Sequence, residues 1–170
     1  MIELVPLSKQ YLEVLTQWNY DKEVNKYFTQ RPPLSIEQQN QWLDRILCDV
    51  SKRKYIIIHQ LSKTPIGMVS LMQINKEPGK AEFGITIGEK SFWGTGVARM
   101  ASGLLFHYAF QVLKLNEIFL QVFETNERGI RFFKKLGFVI DGESYTDSEN
   151  NRLLKMKLSK KIFLKQPSLV

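Results

Sequence analysis

The apolar and polar positions divide the chain into alternating strand and helix signals. IELVPL (2–7) is short and mostly apolar, as a first strand would be. Over 8–20, Tyr11, Leu12, Val14, Leu15 and Trp18 recur at helical spacing, with Ser8 placed as an N-cap. A polar stretch over 21–34, containing the proline pair of RPPLS, predicts a loop. Residues 35–50 return to helical spacing. Ser35 and Gln38 stand three apart, as a capping box requires, and Ile36, Leu43, Ile46 and Leu47 supply the predicted buried face. KYIIIHQ (54–60) and PIGMVSLMQI (65–74) are rich in β-branched and apolar residues and predict strands, with NKEPG (75–79) turning the chain. AEFGITIG (81–88) alternates, placing Phe83, Ile85 and Ile87 on one face and Glu82, Gly84 and Thr86 on the other.

Beyond a glycine-bearing link, Val97, Met100, Ala101, Leu104, Leu105 and Tyr108 mark a helix over 97–113. EIFLQVF (117–123) is a strand, and NERGIRFFKKLG (126–137) is an amphipathic helix closed by Gly137. FVIDGESYTD (138–147) and NRLLKMKLS (151–159) form a last strand pair around SENN. The order is β-α-α-β-β-β-α-β-α-β-β, about seven strands and four helices. It predicts an α/β or α+β fold with one central, mixed but mostly antiparallel sheet.

The chain has 170 residues, 44% hydrophobic and 24% charged, which predicts one globular domain over 1–170 with an adequate core. No repeat or low-complexity segment interrupts it. The single cysteine, Cys48, has no internal disulfide partner and reads as buried helix filler. His59 and His107 lie far apart and read as structural, so no metal site is expected. The N-terminus lacks a signal-peptide pattern, and no apolar run approaches the ~20 residues that span a bilayer. The expectation is a cytoplasmic protein, monomer or homodimer, with no membrane partner. A net charge of +7 favours an anionic partner, whether nucleic acid, a membrane surface or a phosphorylated small molecule, and does not by itself choose among them.

The link IGEKSFWGTGVARMA (87–101) carries the chemistry. A strand, a turn with Gly94 and Gly96, and a helix start follow one another. The first amides of a helix lack intrahelical partners, the helix dipole adds positive charge there, and glycine lets a phosphate approach the backbone. The combination fits a phosphate cradle, although a plain glycine turn has the same spacing. A dinucleotide fingerprint needs a third glycine or alanine where this chain has Arg99, and no Walker run is present. Arg99 puts a cation in the first helical turn, where it suits a ligand with several phosphates.

This stretch resembles motif A of the GNAT superfamily of acyl-CoA-dependent N-acetyltransferases, Q/R-x-x-G-x-G/A, with Trp93 in the first place, Gly96 in the fourth and Ala98 in the sixth. NEIFLQVFETNERGIRFFKKLGFVIDGE is similar to the following half of that fold, and the resemblance covers nearly the whole chain. The subgroup most similar in pattern contains ribosomal-protein N-terminal and spermidine acetyltransferases. The resemblance implies acetyl-CoA as acyl donor. Its pantetheine arm would lie along Ile85, Thr86 and Ile87, and its pyrophosphate on the amides of Gly94, Thr95, Gly96, Val97, Ala98 and Arg99, beside Trp93. Asn126 would contact the cofactor, cap the next helix, or do both. Glu82 would be the general base or amine-positioning group, with a surface ion pair as its other reading. A backbone amide of the cofactor strand would stabilise the oxyanion.

One position departs from the family. Counting back from KKLGF, the place where many relatives have a tyrosine that protonates the leaving thiolate falls on Phe133, which the resemblance implies would lie beside the cofactor. The proton would come from water, from Tyr145 or Tyr108, or from no protein group at all. Arg128, Arg131 and Lys135 share a helix face that either steers the acidic cofactor or is simply solvated. The resemblance places the acceptor between 19–34 and 144–152. There Tyr20, Tyr27, Phe28 and Arg31 are present, and Lys22, Lys26 and Arg31 offset Asp21 and Glu23. The lean is towards a neutral or acidic amine acceptor: a protein N-terminus, an amino sugar on a nucleotide, or an amino acid. A catalytically silent CoA-binding module and, less favoured, a basic nucleic-acid-binding domain are the rivals.

Overall fold

The computed structural model of the protein describes residues 1–28 and 34–166. Eight strands form one sheet: β1 (Ile2–Pro6), β2 (Arg53–His59), β3 (Pro65–Asn75), β4 (Lys80–Ile87), β5 (Glu117–Phe123), β6 (Val139–Ile140), β7 (Tyr145–Thr146) and β8 (Arg152–Ser159). Their order is β1-β2-β3-β4-β5-β8-β6, with β7 also on β8. Every pairing is antiparallel except β4 with β5. The described helices are α1 (Leu12–Tyr20), α2 (Ile36–Cys48), α3 (Val97–His107), α4 (Glu127–Lys135) and the short α5 (Lys160–Phe163).

Helices cover both faces. On one face, Val97, Ala101, Leu105 and Phe106 of α3, with Ile130 and Phe133 of α4, pack on Val69, Leu71, Phe83, Ile118 and Leu120. On the other, Leu15 and Trp18 of α1 and Leu43 of α2 pack on Ile56 and Ile58. The run Ile56-Ile57-Ile58 is explained by this sandwich: Ile57 points into the first cluster, its neighbours into the second, and all three are buried. Phe106 is fully buried among Phe83, Phe138 and Phe163. Burying such a ring contributes about 1.5–3 kcal/mol.

The capping box on α2 is present, with Ser35 Oγ accepting from Gln38 N and Gln38 reaching back to the Ser35 amide. Several expectations need correction. Ser8 makes no side-chain cap, and a 3-10 turn, Lys9–Tyr11, precedes α1. Ile36 and Leu47 are exposed, because α2 buries its middle at Leu43 and leaves its ends to solvent. Met100 and Leu104 are exposed because α3 turns the 97-101-105 row to the sheet, and these two lie on its flank. Past His107 the helix loosens into a π-turn, Tyr108–Val112. The stretch 138–147 is two short strands rather than one, with Gly142 at positive φ between them. Cys48 is exposed at the end of α2, not buried.

Candidate functional site

Three residue pairs join β4 to β5: Lys80 with Glu117, Ala81 with Ile118, and Glu82 with Phe119. Beyond Glu82, β4 stays with β3 as far as Ile87, while β5 continues along β8. The sheet opens there into a wedge. Alternate residues of a strand aim their backbone groups at the same edge, so part of the 83–87 backbone faces the gap. Ile85, Thr86 and Ile87 line its β4 side. The Ile87 carbonyl accepts from Trp93 Nε1 at 2.9 Å, which fastens the next loop to the end of the strand.

That loop leads into α3. Gly94 and Gly96 have φ of +78° and +89°, values that L side chains rarely adopt, and a Cβ built on either meets nothing within 4 Å. The backbone is therefore open to a ligand at both positions. The ladder of α3 begins with Met100 N donating to Gly96 O at 3.1 Å, so the Val97 and Ala98 amides lie ahead of it. Val97's side chain is buried in the core, Ala98 O accepts from Ser102 Oγ, and Thr95 Oγ1 donates to Phe92 O. Arg99 is exposed in the first helical turn. An extended, amide-bearing, anionic molecule such as acetyl-CoA fits this combination of strand gap, open glycines and helix start. Among the described residues no group of three or more His, Cys, Asp or Glu is arranged to hold a metal ion.

Glu82 occupies the last paired position before the wedge. Its Oε1 accepts from Gln121 Nε2 at 3.0 Å and its Oε2 from Gln73 Nε2 at 2.6 Å. Among the described residues it forms no ion pair, so the expected alternative of a surface salt bridge is not what the structure shows. Gln73 reaches it through a bulge in β3, where the register shifts between Met72 and Asn75 and Gln73 has φ +50°. Gln121 also accepts a hydrogen bond from the Tyr145 hydroxyl. Burial pushes the Tyr145 phenol up from its usual 10.0, and the charges of Glu82 and Asp147 add to this. Sequence reasoning missed both glutamines, which belong to no motif and no apolar period.

Phe133 stands edge-on to Phe83 at 6.3 Å and to Phe138 at 6.0 Å, half-buried against the aromatic core. Tyr108 lies elsewhere, edge-on to Tyr55 of β2 at 6.1 Å. Asn126 caps α4, its Oδ1 accepting from Gly129 N at 2.9 Å. Of the basic face on α4, Arg131 pairs with Glu127, while Arg128 turns to Trp93. His59 Nδ1 lies 2.9 Å from Ser62 Oγ, and His107 is exposed.

The segment after α1 is tied to the loop before α3. Lys90 Nζ lies 2.8 Å from Asp21 and 2.7 Å from Glu23, and Trp18 Nε1 donates to Glu89 Oε1 at 3.1 Å. The Lys90 ammonium holds the Asp21 carboxyl below its usual 3.8. Lys90, rather than Lys22 or Lys26, is the cation paired with these two carboxylates and offsets one of their two charges; Lys26 sits over the Tyr27 ring. Arg31 lies outside the described residues.

Comparison with known proteins agrees with this geometry. The acetyltransferase (GNAT) domain model matches residues 2–139. A spermidine N(1)-acetyltransferase of Escherichia coli (strain K12) is 30% identical over 142 residues, covering 84% of this chain and 75% of that protein. An uncharacterised N-acetyltransferase, p20, of Bacillus licheniformis is 31% identical over 146 residues, covering 82% of each. Among solved structures, spermidine N-acetyltransferase from Vibrio cholerae in complex with CoA and spermine superposes with a TM-score of 0.84 at 24% identity, over 96% of this chain and 98% of that one.

Proposed function

The chain belongs to the GNAT acetyltransferase family, and from that premise we propose that it moves an acetyl group from acetyl-CoA onto a primary amine held against Glu82, in a ternary complex. Membership makes it an N-acetyltransferase that uses acetyl-CoA. The donor brings the acetyl group already activated as a thioester.

The observation that carries the reading is Glu82 at the opening of the wedge, its carboxylate held by neutral amides. An amine attacks only when neutral, so its ammonium must first lose a proton. Glu82 receives that proton directly or through water. The 85–87 backbone pairs with the extended arm of the donor, and a β4 amide stabilises the developing oxyanion. Gly94, Thr95, Gly96, Val97, Ala98 and Arg99 seat the pyrophosphate, with Trp93 and Asn126 framing it and Phe133 behind the strand. Phe133 has no proton to give, Tyr108 stands edge-on to Tyr55 of β2, and the Tyr145 hydroxyl is engaged with Gln121. The leaving thiolate therefore takes its proton from water.

The acceptor is neutral or acidic apart from its attacking amine: a protein N-terminus, an amino sugar on a nucleotide, or an amino acid. Asp21 and Glu23 support this, because Lys90 pairs with both and reduces their joint charge to a single negative, which leaves a polycation little acidic surface there. The domain works as one unit over 1–170 in the cytoplasm. Among the described residues no helix is long and apolar enough to cross a membrane.

Two measurements test the reading. Acetyl-CoA at 100 times its Kd raises stability by about 2.7 kcal/mol, seen as a thermal shift; no shift at millimolar acetyl-CoA sinks it. An acceptor panel read by thiol release then compares spermidine and spermine with peptides, amino acids and nucleotide-linked amino sugars. Faster turnover of the polyamines overturns the acceptor assignment. Phe133 favours a second reading, a CoA-binding module without turnover, which predicts the thermal shift and no thiol release on any acceptor.

A further inference from the structure

Glu82, Gln121 and Tyr145 form a continuous chain across three strands. Tyr145 on β7 donates to Gln121 Oε1, and Gln121 on β5 donates from Nε2 to Glu82 Oε1 on β4. The two ends fix the amide between them. A carboxylate accepts only, so the nitrogen of Gln121 must face Glu82 and its oxygen must face the phenol. Tyr145 is the donor because the Gln121 amide oxygen only accepts; burial and the charges of Glu82 and Asp147 push its phenol up in the same sense. Gln73 holds the other carboxylate oxygen from the β3 bulge.

The charged groups around this chain are engaged with one another. Lys80 pairs with Glu117 at 2.9 Å, and Lys157 pairs with Asp141 at 2.6 Å. Lys155, opposite Gln121 on β8, lies over the Phe119 ring and 3.8 Å from Asp141. Arg152 pairs with Glu124. Asp147 is bonded to the amides of Glu149 and Asn151. Neutral donors therefore orient Glu82 and leave its charge in place. Two amides use about half of the roughly four acceptor sites of a carboxylate, so room remains for an ammonium or a water.

We propose that Gln121 and Tyr145 are positioning residues for acetyl transfer: they aim the Glu82 carboxylate at the acceptor amine without cancelling its charge. This rests on Glu82 receiving the amine's proton. It gives Tyr145 a role distinct from protonating the thiolate, because its hydroxyl hydrogen is committed to Gln121.

The test is a double-mutant cycle on the full chain, with acetyl-CoA as donor and whichever amine of the panel turns over best. Tyr145→Phe keeps the ring and removes one hydrogen bond. It should lower kcat/KM for the amine roughly 3- to 10-fold, the kinetic equivalent of one such bond, while the Kd for acetyl-CoA stays unchanged. Gln121→Leu, on an exposed strand position, should lower it at least as much. In a Glu82→Gln background, measured at high enzyme concentration, Tyr145→Phe should have no further effect, because the carboxylate it served is gone. Equal losses in both backgrounds overturn the proposal, as does full activity of both Tyr145→Phe and Gln121→Leu. Full activity of Glu82→Gln alone overturns the underlying role of Glu82 instead, so the two failures are told apart.

Discussion

Arg128, in the first turn of α4, holds its guanidinium 5.1 Å from the centre of the Trp93 ring. Trp93 belongs to the loop that leaves β4, and Arg128 to the helix that follows β5. The contact thus ties the two limbs of the split sheet together beside the glycine turn. A cation over a half-buried indole contributes about 0.5–2 kcal/mol. Arg128→Ala should weaken acetyl-CoA binding several-fold by isothermal titration and change kcat for the amine little at saturating donor. Arg128→Lys should recover part of the loss at low salt. Unchanged donor affinity in the alanine variant would leave the pair a surface contact.

Gly96 stands at φ +89° at the start of α3. Gly96→Ala adds a Cβ to a left-handed residue, costing about 1–2 kcal/mol, and points it into the open space where a phosphate would approach. The expected result is a modest drop in apo stability by urea denaturation and a larger drop in acetyl-CoA affinity. If the variant binds acetyl-CoA as tightly as the parent, the turn does not seat the phosphates.

Gly88 is needed for space. A Cβ there would lie 2.1 Å from the Trp18 ring, while Trp18 bonds Glu89 across the same contact. Gly88→Ala must push Trp18 aside, an overpacking cost of about 1–3 kcal/mol. Chemical denaturation should show that loss, and in a background with Trp42 and Trp93 replaced by Phe the Trp18 fluorescence should shift to the red. An alanine variant as stable as the parent would contradict the packing.

The pairing of Lys90 with Asp21 and Glu23 gives a pH signature. Asp21 is lowered from 3.8 in the fold, so its contribution is present above 3.8 and is lost as the pH falls through the lowered value. Lys90 is raised from 10.5 by the same partners, so its contribution is present below 10.5 and is lost as the pH rises through the raised value. The stability difference between parent and Lys90→Met should be flat across neutral pH and shrink below 3.8 and above 10.5. These groups face solvent, so added salt should also reduce it. A difference that grows in acid would refute the assignment.

Much of the fold was legible because local and global signals agree. Ser35 and Gln38 make the box that their spacing announces, and Asn126 caps α4. Ile56-Ile57-Ile58 is a strand with helices on both faces. The glycine turn and the preceding strand stand where motif A placed them. Other features depend on which neighbours arrive from distant sequence. Cys48, Ile36 and Leu47 fit the apolar pattern of α2, yet only the middle of that helix meets the sheet. The surroundings of Glu82 were hidden for the same reason. Gln73 comes from a bulge, Gln121 from the far limb and Tyr145 from a two-residue strand, and no periodicity links the three.

The early end of the β4–β5 pairing gives this sheet an exposed edge in its interior rather than at its rim. Rim strands are shielded by charge or brevity, since bare backbone groups are a template for another chain. Here the template is short, running from Glu82 along β4 to the loop that Trp93 fastens to the Ile87 carbonyl. A slender molecule with its own amides can fill it. On the proposed function, an acyl donor bound there would act as a temporary strand, and each turnover would complete the sheet and reopen it.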